Sequence, residues 1–130
     1  MNSRQRCLAA IKGRQVDRIP VFPLLMSFSA VRHGITYREF ASDAHALAES
    51  QIKAYENYGI DAVTACSDAF RLSADLGGEI IFPEFTPPYI SKPLIKSKGD
   101  LARLKKPDVL NKGSRMYDRI KAADELSSSI

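Results

Sequence analysis

Only two cysteines occur in the chain, Cys7 and Cys66, and neither belongs to a Cys-x-x-Cys pair. That excludes a disulfide framework and gives no support to a redox or zinc motif, so both read as ordinary buried thiols. Long apolar runs are missing as well. The longest strongly apolar stretch, Ile19 to Leu25, is interrupted by two prolines and falls far short of the roughly 20 residues of a membrane helix. The N-terminus, Met-Asn-Ser-Arg-Gln-Arg, lacks the apolar core of a secretory signal. The cytoplasm is therefore the expected compartment, without a membrane partner. Also absent are a Gly-x-x-x-x-Gly-Lys phosphate loop, a Gly-x-Gly-x-x-Gly fingerprint and a Gly-x-Ser-x-Gly elbow, which removes support for nucleotide binding and acyl transfer. No internal repeat or low-complexity linker is visible.

What is present is 130 residues, 45% hydrophobic and 26% charged. That is the size and composition of one ordinary globular domain over residues 1–130. The net charge of +4 is unevenly placed, because residues 1–91 hold 9 basic and 10 acidic side chains whereas residues 92–121 hold 10 and 3. A basic stripe of that kind can meet nucleic acid or another anionic partner. Around Lys105 and Lys106, however, it lies on helix-like sequence without interleaved aromatics, which reads as a solvated face. Nucleic acid is not the expected partner.

Ser3 is expected to cap a helix running to about Lys12, in which Cys7, Leu8 and Ile11 recur at helical spacing, and Gly13 supplies the left-handed position after it. Arg18 to Leu25 is too short for a helix and holds Pro20 and Pro23, so it reads as a strand with limited ladder pairing. Between Ser42-Asp43, either of which can cap, and Gly59, the residues Ala44, Leu47, Ala48, Ile52 and Tyr55 form one apolar helical stripe. Ile60 to Cys66 is then a run of small and β-branched residues that fits a strand buried on both faces. Strand, helix and strand make a βαβ unit with parallel strands, so the fold class is α/β. Phe70 to Leu76 reads as a short helix stopped by Gly77-Gly78. Glu79 to Lys96, with prolines at 83, 87, 88 and 93, reads as an irregular hairpin or extended arm. Asp100 is expected to cap a short helix through Lys105. Ser114 to about Leu126 is expected to form an amphipathic helix with Met116, Tyr117, Ile120, Ala123 and Leu126 on one face.

Asp68 is the main candidate for chemistry, because it follows the end of a predicted parallel strand, where α/β folds place their ligands. A carboxylate there can act as acid, base or ion partner. It can equally cap the short helix that follows, and the pattern alone leaves both readings open. His33 and His45 are off any metal-ligand spacing and read as surface or structural histidines.

The opening Asn2-Ser3-Arg4-Gln5-Arg6-Cys7-Leu8-Ala9-Ala10-Ile11-Lys12-Gly13, followed by Val16-Asp17-Arg18-Ile19-Pro20-Val21, resembles the start of the uroporphyrinogen decarboxylase superfamily. Asp61-Ala62-Val63 leading into Cys66-Ser67-Asp68, then Ala74-Asp75-Leu76-Gly77-Gly78 and the Pro-rich arm, is similar to the family's second strand, active-site aspartate and following loop. The resemblance implies the N-terminal portion of a (β/α)8 TIM-type barrel, incomplete in this chain, since a closed barrel typically needs about 250 residues. It also implies that Asp68 matches the aspartate that hydrogen-bonds the pyrrole N–H groups of a porphyrinogen, without metal or organic cofactor. A carboxylate suits that role, accepting several N–H donors and stabilising positive charge on a protonated pyrrole.

The first strand departs from the decarboxylases. Their Arg-Gln-Ala-Gly-Arg-Tyr segment binds substrate carboxylates, whereas here Phe22 is followed by Pro23-Leu24-Leu25-Met26-Ser27-Phe28-Ser29-Ala30, with no cation before Arg32. A polycarboxylate needs paired guanidinium groups. Arg32 and Arg38 are the candidate substrate-binding residues; their sharing a cavity with Asp68 would support decarboxylation, and their lying on the outer surface would count against it. The apolar loop looks more like that of the superfamily's cobalamin-dependent methyltransferases, which move a methyl group between a corrinoid and a thiol with a zinc-activated thiolate. Their His-x-Cys and distant Cys ligands have no match here, so zinc and a corrinoid substrate belong to a full-length enzyme, and no cofactor is expected within this chain.

Three functions follow. The first is the N-terminal part of a corrinoid-dependent methyltransferase, silent by itself. The second is uroporphyrinogen III decarboxylation in porphyrin biosynthesis, and the third is a non-catalytic module for an anionic partner. The expected partner is a small-molecule tetrapyrrole or corrinoid, free or on a carrier protein. An open sheet edge with apolar surface also favours a homo-oligomer.

Overall fold

A computed structural model describes residues 1–130. Helices carry most of it: α1 (Ser3–Ile11), α2 (Met26–His33), α3 (Tyr37–Ser42), α4 (Ala44–Tyr58), α5 (Arg71–Asp75) and α6 (Arg115–Ser129). A hairpin of two short strands, β1 (Ile80–Ile81) and β2 (Tyr89–Ile90), and a 3₁₀ segment at Lys98–Arg103 complete the order.

Local chemistry sets the helix ends, though not always at the residue expected. Asn2, one position before Ser3, caps α1: its side chain accepts from Gln5 N while the Gln5 side chain accepts from Asn2 N. Such a capping box satisfies two orphan donors at once. Asp43 caps α4 through the amide of Ala46, and Gly59 ends that helix at φ +59. Ser97, not Asp100, caps the 3₁₀ segment, and Asp100 sits three residues inside as the reciprocal acceptor. Two helices, α2 and α3, fall where no element was expected. Helix α3 carries a Thr36/Glu39 capping box. Helix α2 has no side-chain cap and starts at Met26 with φ +22, an uncommon value for a residue with a Cβ.

The core forms where helices press on α4. Ala44, Leu47 and Ala48 of α4 meet Tyr37, Phe40 and Ala41 of α3, Ala30 of α2, and Ala122 and Leu126 of α6. Alanine at so many of these positions lets the helix axes approach closely, because a methyl group is all that separates the backbones. The buried face of α6 therefore differs from the expected stripe. Ala122 and Leu126 are buried, while Ile120 is 44% exposed and Ala123 is also exposed. Arg115 and Asp118, at matching helical spacing, complete that inner face with charge. The inner face of α4 likewise continues through buried Gln51 and Ala54, leaving Ile52 and Tyr55 half-buried. Gln51 Nε2 donates to Ser29 Oγ at 3.0 Å and joins α4 to α2.

The expected parallel sheet is not formed. Arg18–Leu25 and Ile60–Cys66 lie outside the regular strands, and the one sheet present pairs β1 with β2 antiparallel, Ile80 opposite Ile90. A single backbone hydrogen bond joins the two segments, from Asp61 N to Val21 O at 2.7 Å. Pro20 and Pro23 have no N–H to offer, and the Val21 N–H is taken by the Asp61 side chain. Nor is the second segment buried on both faces: Val63 and Ala65 pack on the helical core while Ala62, Thr64 and Cys66 stay partly exposed. The hairpin expected within Glu79–Lys96 does form, and the Gly77 turn (φ +97) precedes it. A Cβ on Gly78 would lie 2.7 Å from Ser73 O, so glycine is required there. Lys105 and Lys106 are exposed in non-helical chain. No helix is long and apolar enough to cross a membrane.

Candidate active site

The second extended segment ends in Ser67 and Asp68, and α3, α5, α6 and the β1 arm all supply side chains around them. The Asp68 side chain is 2% exposed. Its Oδ1 accepts from Phe70 N (2.8 Å) and Arg115 Nη1 (3.1 Å), and its Oδ2 from Ser67 Oγ (2.6 Å) and Arg115 Nη2 (2.8 Å). Four donors fill the lone-pair sites of the carboxylate. Burial pushes its pKa up, but the Arg115 guanidinium, the Ser67 hydroxyl and the Phe70 amide together outweigh it and hold the group below its ordinary range. Asp68 is thus an ionised acceptor near neutral pH. It is not the cap of α5, whose N-cap position is Phe70. The Phe70 amide closes a local Asx turn instead.

A second ring of groups supports the first. The side chain of Arg71 is 2% exposed. It donates from Nε and Nη2 to Ser67 Oγ (3.2 and 2.9 Å) and from Nη1 to Asp118 Oδ2 (3.0 Å) and Arg115 O (2.9 Å). Burial lowers the Arg71 pKa, with Asp118 opposing. The Tyr37 hydroxyl donates to Ser67 O at 2.5 Å, and burial reinforced by the Asp68 charge pushes its pKa up to about 12. Asp118 Oδ1 accepts from Ala44 N at 2.9 Å, which ties α6 to the start of α4. The Arg115 guanidinium also donates to Ala41 O at 2.8 Å and lies 4.8 Å from the Phe82 ring centroid, a cation–π distance. Asp75 accepts from the amides of Arg115 and Met116, so the end of α5 caps the start of α6.

The other candidate residues lie elsewhere. Arg32 is exposed and donates from Nε to Tyr58 Oη at 2.8 Å. Arg38 is exposed and donates from Nε to Phe82 O at 2.9 Å. Neither makes a hydrogen bond or ion pair with Asp68, whose guanidinium partner is Arg115. Arg71 and Arg115 are not among the residues that the sequence pattern singles out. A signal existed, since each is the first residue of its helix, where the macrodipole disfavours a cation and another partner is needed to hold it.

A second charge cluster sits at the opposite end of the extended segments, around Asp61, whose side chain is fully enclosed. It is paired with Arg6, accepts from Arg18 Nη1 (2.6 Å) and Nη2 (3.0 Å), and takes the Val21 amide at 2.8 Å. The Val21 N–H leads in lowering its pKa to about 2, burial opposing and the two arginines assisting. Arg6 also donates to both oxygens of Asp17, at 2.7 and 2.8 Å, which holds that carboxyl far below its usual range.

Metal ligation finds no support in the donor set. No group of three or more His, Cys, Asp and Glu side chains lies close enough to hold an ion. His33 pairs with Glu49, and His45 with Glu125. Cys7 Sγ contacts Asp61 O at 3.7 Å, remote in sequence and surroundings from Cys66. These residues do not fit a zinc site.

Residues 2–130 match the family model of uroporphyrinogen decarboxylase (URO-D). No curated protein matches the sequence. Among solved structures, a methyltransferase from Methanosarcina mazei superposes on all of this chain with a TM-score of 0.79 and 21% sequence identity. The chain spans 39% of that protein's length, so its mixed helical, few-stranded architecture corresponds to part of a larger fold.

Proposed function

This chain belongs to the uroporphyrinogen decarboxylase family over residues 2–130, and from that premise we propose that it is the N-terminal part of a (β/α)8-barrel enzyme of the corrinoid-dependent methyl-transfer branch. The reaction carries a methyl group from a methylated corrinoid to a thiol. One observation supports this branch over decarboxylation: the loop after Phe22 brings no guanidinium to Asp68. Leu24 in that loop is 70% exposed and Phe28, on α2 just after it, 46% exposed, while Arg32 and Arg38 are occupied by Tyr58 and the Phe82 carbonyl. Such an apolar lip suits a large, weakly charged macrocycle better than a polycarboxylate, whose charges need paired arginines. That a structurally similar protein is a methyltransferase, from M. mazei, supports the same reading.

In this reading Asp68 is an ionised acceptor at the mouth of the barrel that takes N–H donors of the ligand, such as the carboxamides at a corrin periphery, in exchange for donors it holds here. Charge-assisted hydrogen bonds of that type are about twice as strong as neutral ones. Thiol activation is left to residues outside these 130. Association of copies belongs to the same proposal, supported by the exposed apolar side chains of Ile19 (83%) and Val21 (47%).

The test is an assay of the enzyme that carries this chain at its N-terminus, with methylcobalamin plus a thiol in one arm and uroporphyrinogen in the other. Loss of the methylcobalamin absorbance, with formation of the methyl thioether, is expected. Release of carbon dioxide from uroporphyrinogen without methyl transfer would replace this reading by decarboxylation.

A further inference from the structure

We propose that Arg115 is a positioning residue for Asp68, a built-in guanidinium that fixes the carboxylate in its ionised, oriented form and is the donor a ligand displaces. Of the four bonds at Asp68, two are local, from Ser67 next door and Phe70 two residues on. The other two come from a single side chain 47 residues away, on α6. The local donors are difficult to remove. The Phe70 amide belongs to the turn itself, and the Ser67 hydroxyl is oriented toward Asp68 because its oxygen already accepts two N–H groups from enclosed Arg71.

Arg115 is different. Its side chain is 15% exposed against 2% for Asp68. A cavity of about 290 Å³, lined in part by Ser42, Phe82, Lys112 and Asp118, opens against it. It also keeps two partners that do not depend on Asp68, the Ala41 carbonyl at 2.8 Å and the Phe82 ring. A guanidinium so held can leave the carboxylate without losing all its contacts. The incoming ligand must then bring N–H donors of its own, since an enclosed carboxylate left unpaired is costly. The other charged or titratable groups around Asp68 are Arg71 and Asp118, which neutralise one another, together with Tyr37 on Ser67 O and Cys66 just before it in the chain. None of these replaces the direct pair that Arg115 makes.

The inference rests on the reading of Asp68 as the working carboxylate, but its test does not require turnover. The 130-residue chain is labelled with carboxyl-¹³C aspartate, Asp68→Asn assigns the resonance, and the Asp68 titration is followed in the parent, Arg115→Lys and Arg115→Met. The expected result is a midpoint ~1–3 pH units higher in Arg115→Met, the span an adjacent opposite charge commands, with Arg115→Lys between. Equal midpoints in all three overturn the inference, and so does a rise in Arg115→Met matched by an Arg71→Lys control. If Arg115→Met does not fold, Arg115→Lys carries the measurement, because one ammonium cannot reproduce the two-pronged contact. In the full enzyme, Asp68→Asn with undiminished turnover removes the catalytic reading of Asp68 while leaving the titration result intact.

Discussion

Two arginine–aspartate clusters lie at the two ends of one extended segment, Asp61 at its start and Asp68 just past its finish, and they are built differently. Around Asp61 the cations come from 55 and 43 residues earlier in the chain, Arg6 on α1 and Arg18 beyond it, and the outer members are wet: Arg18 is 45% and Asp17 43% exposed at the side chain. Around Asp68 the cations come from two separate helices, and the Arg71, Asp68 and Arg115 side chains are 2%, 2% and 15% exposed. The same chemistry therefore has two uses. A cluster wet only at its rim, with redundant partners, holds the chain entry to the second segment. A dry cluster, each member committed to the next, fixes helices α3, α5 and α6 around one carboxylate.

Three perturbations bear on that contrast. The largest effect is expected for Arg71→Met, which strips Asp118 and Ser67 of an enclosed cation and costs about 3–5 kcal/mol, as removal of one partner of a buried pair does. Arg18→Met is expected to cost a fraction of that, because Arg6 and the Val21 amide still neutralise Asp61. Equal losses in denaturant unfolding would erase the distinction between the clusters.

Acid comes next. The Asp61 carboxyl titrates at about 2 in the folded chain against 3.8 as its ordinary value. Between those values the unfolded chain binds more protons, so stability rises with pH. The contribution is complete above about pH 4 and is lost as the pH falls toward 2. Asp68, also lowered, adds to the same acid loss. The denaturation midpoint is expected to fall through this window, and Asp61→Asn to flatten the fall. A midpoint independent of pH there would contradict both assignments.

Smallest is the effect of helix caps. Asn2→Ala at the Asp61 end should cost about 1 kcal/mol. Ser114→Ala at the Asp68 end should cost less, since Asp75 keeps the next two amides of α6 satisfied. Thermal unfolding of the two variants ranks them, and a larger loss in Ser114→Ala would mean that Asp75 is not the effective cap.

Structure is most legible in the sequence where one residue decides. Gly13 and Gly59 each end a helix in the left-handed conformation that glycine favours, and the stripe from Ala44 to Ala48 lies in the core. Residues that carried the family resemblance, Arg6, Asp17, Arg18 and Asp61, turn out to be partners in a single charge cluster. Asp68 stands out in the sequence by its place after a strand-like run, and it is enclosed at the centre of a polar network. Legibility stopped at partners distant in the chain. Nothing near Asp68 in sequence points to Arg115, and the strands failed to pair because a ladder needs neighbours that local β-propensity does not supply.

By itself the sequence determined the helix punctuation, the turn at Gly77-Gly78, the hairpin arm and the family, because each depends on residues close together or on an ordered string of them. The tertiary structure decided which cations meet which carboxylates, which face of α6 is buried, and that Asp68 has no spare acceptor. The physical reason is enclosure. A carboxylate's environment is set by the groups that displace its water, and at Asp68 the decisive one arrives on a helix 47 residues away.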